Sequence, residues 1–310
     1  MSLAQRKADL IRMTTRTVAI PLEDEGSGCT IWLKLEYLLP SGSTKDRVAA
    51  FILGHGVETG TITEDTIVVE ASSGSTSIAL AMACAVIGVK FRAVMPENVS
   101  RERTLIIKRY GGEVVLTPAA AGIVGAIDET RRMAAADSKV FLPRQFENPL
   151  NARAHQRETG PELIQQVGTT IHGFVAGVGT GGTLMGIARA LREAGHPTVI
   201  ARAIPDKGSA CFAGQPEVCG GIPGVIEGLS TILNIEEFQI EDIHIPEHAA
   251  ISASRELCSR GLPVGPSSGL NLAAACGLVG WGGPGKAIAT ALCDRMERYF
   301  STDLFADVSK

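Results

Sequence analysis

A glycine-rich segment, GVGTGGT at residues 177–183, has the composition of a loop that binds an anion. It follows a predicted strand and precedes a predicted helix, so its backbone N–H groups would converge where the helix dipole adds positive potential. The segment departs from the dinucleotide fingerprint GxGxxG and from the Walker pattern, and no acidic residue lies about twenty positions on to bind a ribose. It therefore predicts a site for a single phosphate, with an ordinary strand-to-helix turn as the alternative.

A lysine, Lys45, lies within the segment PSGSTKDR at residues 40–47, immediately before a helical pattern. In the first helical turn, the positive end of the helix dipole disfavours a cation. If the ammonium group is also removed from water, its pKa falls and the neutral amine becomes a nucleophile. The alternative from these residues alone is a solvated lysine beside Asp46.

Two further segments place small hydroxyl side chains before predicted helices. EASSGSTS at residues 70–77 offers hydroxyl and backbone N–H groups that suit a carboxylate. VGPSSG at residues 264–269 offers a neutral hydroxyl group to a ligand. Helix capping alone is the alternative explanation for both segments.

These segments lie between short β-branched runs and alanine-rich helical patterns, whose alternation is typical of βαβ units in an α/β fold with parallel sheets. The predicted strands are 67–70, 91–95, 113–116, 173–176, 198–203 and 287–292. The predicted helices are 46–56, 76–88, 100–110, 123–136, 152–167 and 181–194. Possible crossovers near residues 40 and 146 indicate two domains, 1–40 plus 146–310 and 41–145. Region 205–247 is interpreted as a long functional loop.

Composition and charge exclude several classes of protein. The net charge is −4, from 29 basic and 33 acidic residues, which provides no field for wrapping nucleic acid. The longest apolar run, 78–89, is too short to span a bilayer, and the N-terminal residues lack the apolar core of a signal peptide. Seven cysteines without zinc-site spacing indicate a reducing, cytoplasmic compartment and no bound metal.

The order of the motifs resembles that of fold-type II enzymes using pyridoxal 5′-phosphate (PLP), in the cysteine synthase (O-acetylserine sulfhydrylase)/cystathionine β-synthase family. PSGSTKDR resembles the family's lysine motif N-P-x-x-S-x-K-D-R, and SSGSTS resembles its T-S-G-N-T-G loop. GVGTGGT is similar to its phosphate loop, and VGPSSG to its V-G-x-S-S-G. Residues 144–162 and 298–302 resemble its Q-F-x-N-P…H…T-G-P-E stretch and its R-Y-L-S-T, so the resemblance covers nearly the whole chain.

The resemblance implies two parallel-sheet lobes, like those of the tryptophan synthase β-subunit, with the cofactor in the cleft between them. The larger domain, 1–40 plus 146–310, would bind PLP, and the smaller, 41–145, would be mobile on the substrate side. Lys45 would be the catalytic residue, forming the imine with PLP and moving the α-proton. The other residues implied to bind the cofactor are Ser75, Gly179, Thr180, Gly181, Gly182, Thr183 and Ser267, the last facing the pyridine nitrogen. The residues implied to bind the substrate carboxylate are Ser72, Ser73, Thr76 and Gln145.

The implied activity is PLP-dependent β-replacement on an O-activated L-serine, in which O-acetylserine and sulfide give L-cysteine through an aminoacrylate. Ser75 replaces the asparagine of the family's loop, and this departure leaves open a specialised amine or thiol nucleophile, with a product of the 2,3-diaminopropionate or cystathionine type. A serine/threonine dehydratase is a further alternative on the same fold. From other classes, a nicotinamide-dependent dehydrogenase or a nucleotide-binding module would use the same glycine-rich loop. The implied partners are a second copy of the chain, in a homodimer, and a serine acetyltransferase.

Overall fold

The computed structural model describes residues 1–24, 26–72, 74–206, 222–226, 228–306 and 308. Strands and α-helices alternate along much of this part of the chain. The strands are β1 (Ala19–Asp24), β2 (Cys29–Leu35), β3 (Ile67–Ala71), β4 (Lys90–Pro96), β5 (Glu113–Thr117), β6 (Val140–Phe141), β7 (Ile171–Gly177), β8 (Val199–Asp206), β9 (Glu241–Pro246) and β10 (Ala287–Leu292). The helices are α1 (Leu3–Met13), α2 (Lys45–Glu58), α3 (Ser75–Ile87), α4 (Arg101–Arg109), α5 (Gly122–Ala136), α6 (Leu150–Ala154), α7 (Gly160–Val167), α8 (Gly182–Glu193), α9 (Glu247–Ser259) and α10 (Pro266–Gly282).

The first of two compact units comprises residues 1–15 and 39–150. Its four strands are parallel and lie in the order β5-β4-β3-β6. Helix α3 is apolar on nearly every side and almost wholly buried, as expected of a helix at the centre of a unit. It packs against α2 and β4, and its core cluster includes Leu53, Ile78 and Phe91.

The second compact unit comprises residues 16–38 and 151–310. Its six-stranded sheet has the order β1-β2-β10-β7-β8-β9, and the neighbouring strands are parallel except for the antiparallel pair β1–β2. Strand β1 carries Pro21 and lies at the sheet edge, where a missing N–H donor is tolerated. The prediction of an α/β fold with two parallel-sheet regions is confirmed.

Helix α1 belongs to the first unit, although the predicted division placed residues 1–40 with the larger domain. Ser2 and Gln5 begin this helix with a capping box, in which the side chain of each accepts a hydrogen bond from the backbone N–H of the other. Leu10 is fully buried in the core cluster of the first unit, and α1 packs on α2 and α3. The division differs at the N-terminus because α1 buries its apolar face in that unit.

Region 205–247 contains regular structure that the prediction of a long loop did not include. Strand β8 continues to Asp206, and β9 adds an edge strand parallel to it. Most residues of β9 are exposed, and its polar–apolar alternation depends on Ile243 and Ile245 alone, which is too short a pattern to predict a strand. Residues 207–221 and 227 of this region lie outside the described residues. Among the helices that the structure describes, none combines the length and apolar character needed to cross a bilayer.

Truncating Leu10 tests the packing of α1. Leu10→Ala should lower the free energy of unfolding by about 2–5 kcal/mol, because a buried leucine is replaced by a cavity. The matched control is Ile11→Ala, one position along the helix, where the side chain is 39% exposed and the expected loss is under about 1 kcal/mol. Urea unfolding followed by circular dichroism measures both. Equal losses would show that α1 is not anchored through Leu10.

Candidate active site

Lys45 is the first residue of α2 and is half-buried. Its neighbours Asp46 and Arg47 are fully buried. Asp46 fastens the preceding loop to the helix, because its carboxylate accepts hydrogen bonds from both the N–H and the hydroxyl group of Ser41. An acidic side chain in the first turn also interacts favourably with the helix dipole. Lys45 therefore lies at a helix N-terminus whose position is fixed by the hydrogen bonds of Asp46.

Three of the four residues predicted to bind a carboxylate lie close together after β3. The Thr76 hydroxyl donates to Gln145 Oε1 over 2.5 Å, and Gln145 Nε2 donates to the Ala71 carbonyl over 2.8 Å. The Ser72 hydroxyl accepts from the Gly74 N–H over 3.1 Å. Ser72, Thr76 and Gln145 are all buried. These polar groups surround the N-terminus of α3, a position that stabilises an anion.

The start of α3 leaves little room for side chains. Ser75 is the first helical residue and is half-buried, while the predicted Ser73 lies outside the described residues. A Cβ atom built on Gly74 would lie 2.9 Å from both Cδ and Nε of Arg103, a buried side chain of α4. Position 74 therefore requires glycine unless Arg103 moves. Sequence reasoning did not identify Arg103, because its partner segment lies on a different helix.

Glu70, the residue before Ala71 in β3, is a buried acid that sequence reasoning also missed. Its Oε1 accepts from the Ala71 N–H over 2.9 Å, and its Oε2 accepts from the Gln145 N–H over 3.1 Å. Burial raises the pKa of Glu70 to about 8, and the N–H donors oppose this rise only in part. The available signal was an acidic residue at the end of the otherwise apolar strand IVVEA.

The glycine-rich segment connects β7 to α8. Gly181 has a φ of +78°, in the left-handed region that favours glycine. Within the described residues, the N–H groups of Gly179, Thr180 and Gly181 donate to no protein acceptor. They immediately precede a helix whose dipole is positive at this end. Such N–H groups bind phosphate readily, so this loop can hold one.

Two buried side chains brace the far end of this loop. Asn151 Nδ2 donates to the Thr180 hydroxyl over 2.9 Å, and a Cβ atom on Gly182 would lie only 1.9 Å from Asn151 Oδ1. His155, in a π-helical turn, places its Nε2 3.2 Å from Thr183 Oγ1. The close approach of Asn151 is thus enough to require glycine at position 182, whether or not a ligand also needs the space.

Helix α10 carries Ser267 in its first turn, with the side chain only 9% exposed. One turn later, Asn271 is fully buried. Its Oδ1 accepts from the Gly177 N–H over 2.6 Å, and its Nδ2 donates to the Ala291 carbonyl over 2.7 Å. The helix that positions the predicted ring-facing hydroxyl therefore also fixes the start of the glycine-rich loop. Sequence reasoning missed Asn271, because an asparagine in an apolar helix does not reveal its partner.

The structure places the predicted residues in two groups, one in each compact unit. The first unit contains Lys45, Ser72, Ser75, Thr76 and Gln145. The second unit contains Gly179, Thr180, Gly181, Gly182, Thr183 and Ser267.

A family model described as "Pyridoxal-phosphate dependent enzyme" matches residues 10–294, nearly the whole chain. The match therefore extends over residues of both compact units. It also distinguishes between the ligands that the glycine-rich loop left open, favouring a pyridoxal phosphate over a nicotinamide or another nucleotide.

Individual relatives are similar over almost their full length. Cysteine synthase B of Campylobacter jejuni is 39% identical over 280 residues, which are 90% of this chain and 93% of that protein. The crystal structure of an O-acetylserine-dependent cystathionine β-synthase from Helicobacter pylori has a TM-score of 0.87 at 32% identity, covering 96% of this chain and 98% of that chain. A cysteine synthase structure from Entamoeba histolytica has a TM-score of 0.86 at 32% identity, covering 96% and 90%.

Asn271→Ala tests whether this side chain holds the glycine-rich loop in a phosphate-binding conformation. The change leaves the Gly177 N–H and the Ala291 carbonyl buried without their partner, at a cost of about 1–3 kcal/mol. The dissociation constant for PLP should rise roughly tenfold to a hundredfold. Equilibrium dialysis measures it, with Asn234→Ala as the control, because Asn234 is exposed in the same unit. An unchanged constant in Asn271→Ala would contradict the role.

Proposed function

Because the chain belongs to the pyridoxal-phosphate dependent enzyme family, we propose that it replaces the β-substituent of an O-activated L-serine. O-Acetyl-L-serine and sulfide are the proposed substrates, and L-cysteine and acetate are the products. The full-length similarity to cysteine synthase carries this proposal. A β-replacement enzyme of this family uses PLP as its cofactor.

Residues of the second unit fit the phosphate and the ring of PLP. Among the residues that the structure describes, the N–H groups at 179–181 have no protein acceptor, and together with the hydroxyl groups of Thr180 and Thr183 they would hold the phosphate. When bound, PLP supplies an electron sink for the α-carbon of an amino acid. The Ser267 hydroxyl would face the ring nitrogen, and unlike a carboxylate it would not keep that nitrogen protonated. A neutral hydroxyl group at this position favours β-replacement over transamination, because in β-replacement the leaving group carries electrons away.

Residues of the first unit would bind and activate the amino acid. Gln145, through the second N–H of its amide, and Ser72 would donate hydrogen bonds to its carboxylate. Thr76 would also bind it, exchanging the hydrogen bond that its hydroxyl donates to Gln145 Oε1 for one to the carboxylate. Ser75 would lie beside the cofactor. The Lys45 amine would hold the cofactor before substrate binds, take the α-proton from the substrate and return it to the product. Burial of the carboxylate-binding groups strengthens their hydrogen bonds, because little water competes for them.

Lys45→Ala tests the proposed base. Turnover of O-acetylserine and sulfide should fall by at least about 10²–10⁴-fold, since proton transfer to and from the α-carbon loses its carrier. PLP should still bind, more weakly, through the phosphate loop. Cysteine formation and PLP content are measured in parallel, with Lys90→Ala as the control because Lys90 is exposed on β4. Near-normal turnover by Lys45→Ala would overturn the assignment.

A larger nucleophile, such as a thiol amino acid or an amine, is the second candidate in place of sulfide. Ser75 favours it, because serine is shorter than the asparagine of the family's loop and leaves space on the substrate side. Its hydroxyl group also donates only one hydrogen bond. The similar Helicobacter pylori structure is of an O-acetylserine-dependent cystathionine β-synthase, an enzyme named for a product other than cysteine.

Ser75→Asn distinguishes the two candidates. Restoring the larger side chain should lower kcat/KM for a bulky thiol about tenfold or more, as overpacking of about 1–3 kcal/mol would do. The rate with sulfide should change little, because sulfide needs no added space. Steady-state rates with both nucleophiles are compared on the same PLP-loaded variant. Equal effects on both rates would remove the steric basis for a specialised nucleophile.

We extend the proposal to the cellular location of the enzyme, its partners and the roles of its two units. In the part of the chain that the structure describes, Cys29, Cys84, Cys258, Cys276 and Cys293 are free thiols, which supports a reducing, cytoplasmic location. We propose a homodimer and a serine acetyltransferase partner from the family resemblance. The smaller unit would move on the substrate side, and the larger unit would hold the cofactor.

A further inference from the structure

Glu70 is a buried acid that contacts both segments of the carboxylate-binding cluster without belonging to the predicted site. We propose that Glu70 is a positioning residue, whose carboxyl group holds the Gln145 backbone against the end of β3 so that the Gln145 side chain can bind the substrate carboxylate. This inference rests on the proposed function, because Gln145 is assigned to the substrate there. It adds a residue and a pH dependence to that site.

The geometry forms a closed set of hydrogen bonds between two distant segments. Glu70 accepts from the Ala71 N–H on its own strand and from the Gln145 N–H across the unit, at 2.9 and 3.1 Å. The Gln145 side chain returns to the same strand by donating to the Ala71 carbonyl over 2.8 Å. Its Oε1 then accepts from Thr76 over 2.5 Å. Backbone and side chain of Gln145 are thus both fixed to the strand end that precedes α3.

We call the hydrogen bonds by which Glu70 holds the Gln145 backbone the Glu70 clamp. The backbone conformation beside Gln145 shows why this clamp is needed. Arg144 has a φ of +54°, in the left-handed region that a non-glycine residue seldom adopts. A conformation of this kind persists only where its surroundings hold it. The next backbone donor along the chain, the Gln145 N–H, donates to Glu70 Oε2 over 3.1 Å and so holds the residue that follows this strained position. Glu70 therefore stabilises a turn that would otherwise relax.

The charge of Glu70 matters as well as its geometry. Its pKa is raised to about 8 chiefly by burial, with a smaller contribution from the negative charge of Glu147. Glu147 in turn pairs with Arg131 of α5 over 2.9 Å. At neutral pH, Glu70 is therefore protonated and places no negative charge beside an incoming carboxylate. Above about pH 8, the ionised form would repel that carboxylate.

Glu70→Gln tests the clamp without disturbing the fold, because glutamine has the shape of glutamate and is neutral like the protonated acid. The amide group keeps one acceptor oxygen but presents N–H donors in place of the other, so one backbone N–H loses its partner. We expect KM for O-acetylserine to rise roughly tenfold, since a buried hydrogen bond is lost. The value of kcat should change much less, and PLP content should equal that of the parent. A purely structural role would instead lower PLP content and kcat together.

The pH profile supplies a readout that general destabilisation would not change. The affinity of the PLP-loaded parent for O-acetyl-L-serine without sulfide, read from the cofactor's visible absorbance, should weaken as pH rises through about 8. Glu70→Gln should lack this step. Since the pKa is raised on folding, the parent should also lose stability relative to the variant between pH 4.5 and 8. The matched control is Glu147→Gln, which should keep the step and shift it to lower pH.

Hydrogen–deuterium exchange of the ligand-free protein tests the clamp independently of the substrate. Glu70→Gln should increase exchange in peptides covering residues 142–149, whereas Glu147→Gln should not lose protection at Gln145. If O-acetylserine leaves the parent spectrum unchanged, the proposed substrate is wrong, and the exchange result still decides the clamp. Unchanged exchange at Gln145 in Glu70→Gln would overturn the inference. Increased exchange with an unchanged KM and an unchanged pH profile would overturn the role in substrate binding.

Discussion

The first backbone N–H groups of a helix have no acceptor within that helix, and this protein places four such helix starts at its candidate site segments. Helices α2, α3, α8 and α10 begin at the lysine segment, the carboxylate loop, the glycine-rich loop and the Ser267 segment. Two of these helices directly follow parallel strands, β3 and β7, at whose carboxyl ends ligands of α/β proteins usually bind. Anionic groups on a substrate or cofactor would satisfy donors that the fold leaves available.

The same constraint explains why small residues recur in these segments. Each helix start must let neighbouring chain approach closely, so Gly74 accommodates Arg103, and Gly182 accommodates Asn151. The polar side chains that brace the loops are buried, and a buried polar group must find a partner. Loop conformation and anion binding therefore depend on the same few residues.

Much of the fold could be predicted from the sequence, because buried parallel strands read as continuous apolar runs. Strands β3, β4, β5, β7, β8 and β10 lie within a few residues of their predicted positions. The pair β1–β2 and strand β9 escaped prediction, since they lie at or beside sheet edges or are largely exposed. The glycine-rich loop could be derived from its residues, whereas the grouping of Thr76 with Gln145 came from the family resemblance. Glu70 and Asn271 could not be found, because their partners lie 75 and 94 residues away.

Strand order determines when each unit can be completed while the chain is being synthesised. Strand β10 lies between β2 and β7, so the last strand to leave the ribosome occupies the interior of the larger sheet. The first unit has all its residues once position 150 has emerged, and its N-terminal helix can dock at that stage. The larger sheet must then wait for residues 287–292, with β2 and β7 each exposing an unpaired edge. During that interval the nascent chain is most vulnerable to wrong strand pairing, and chaperone protection would matter most there.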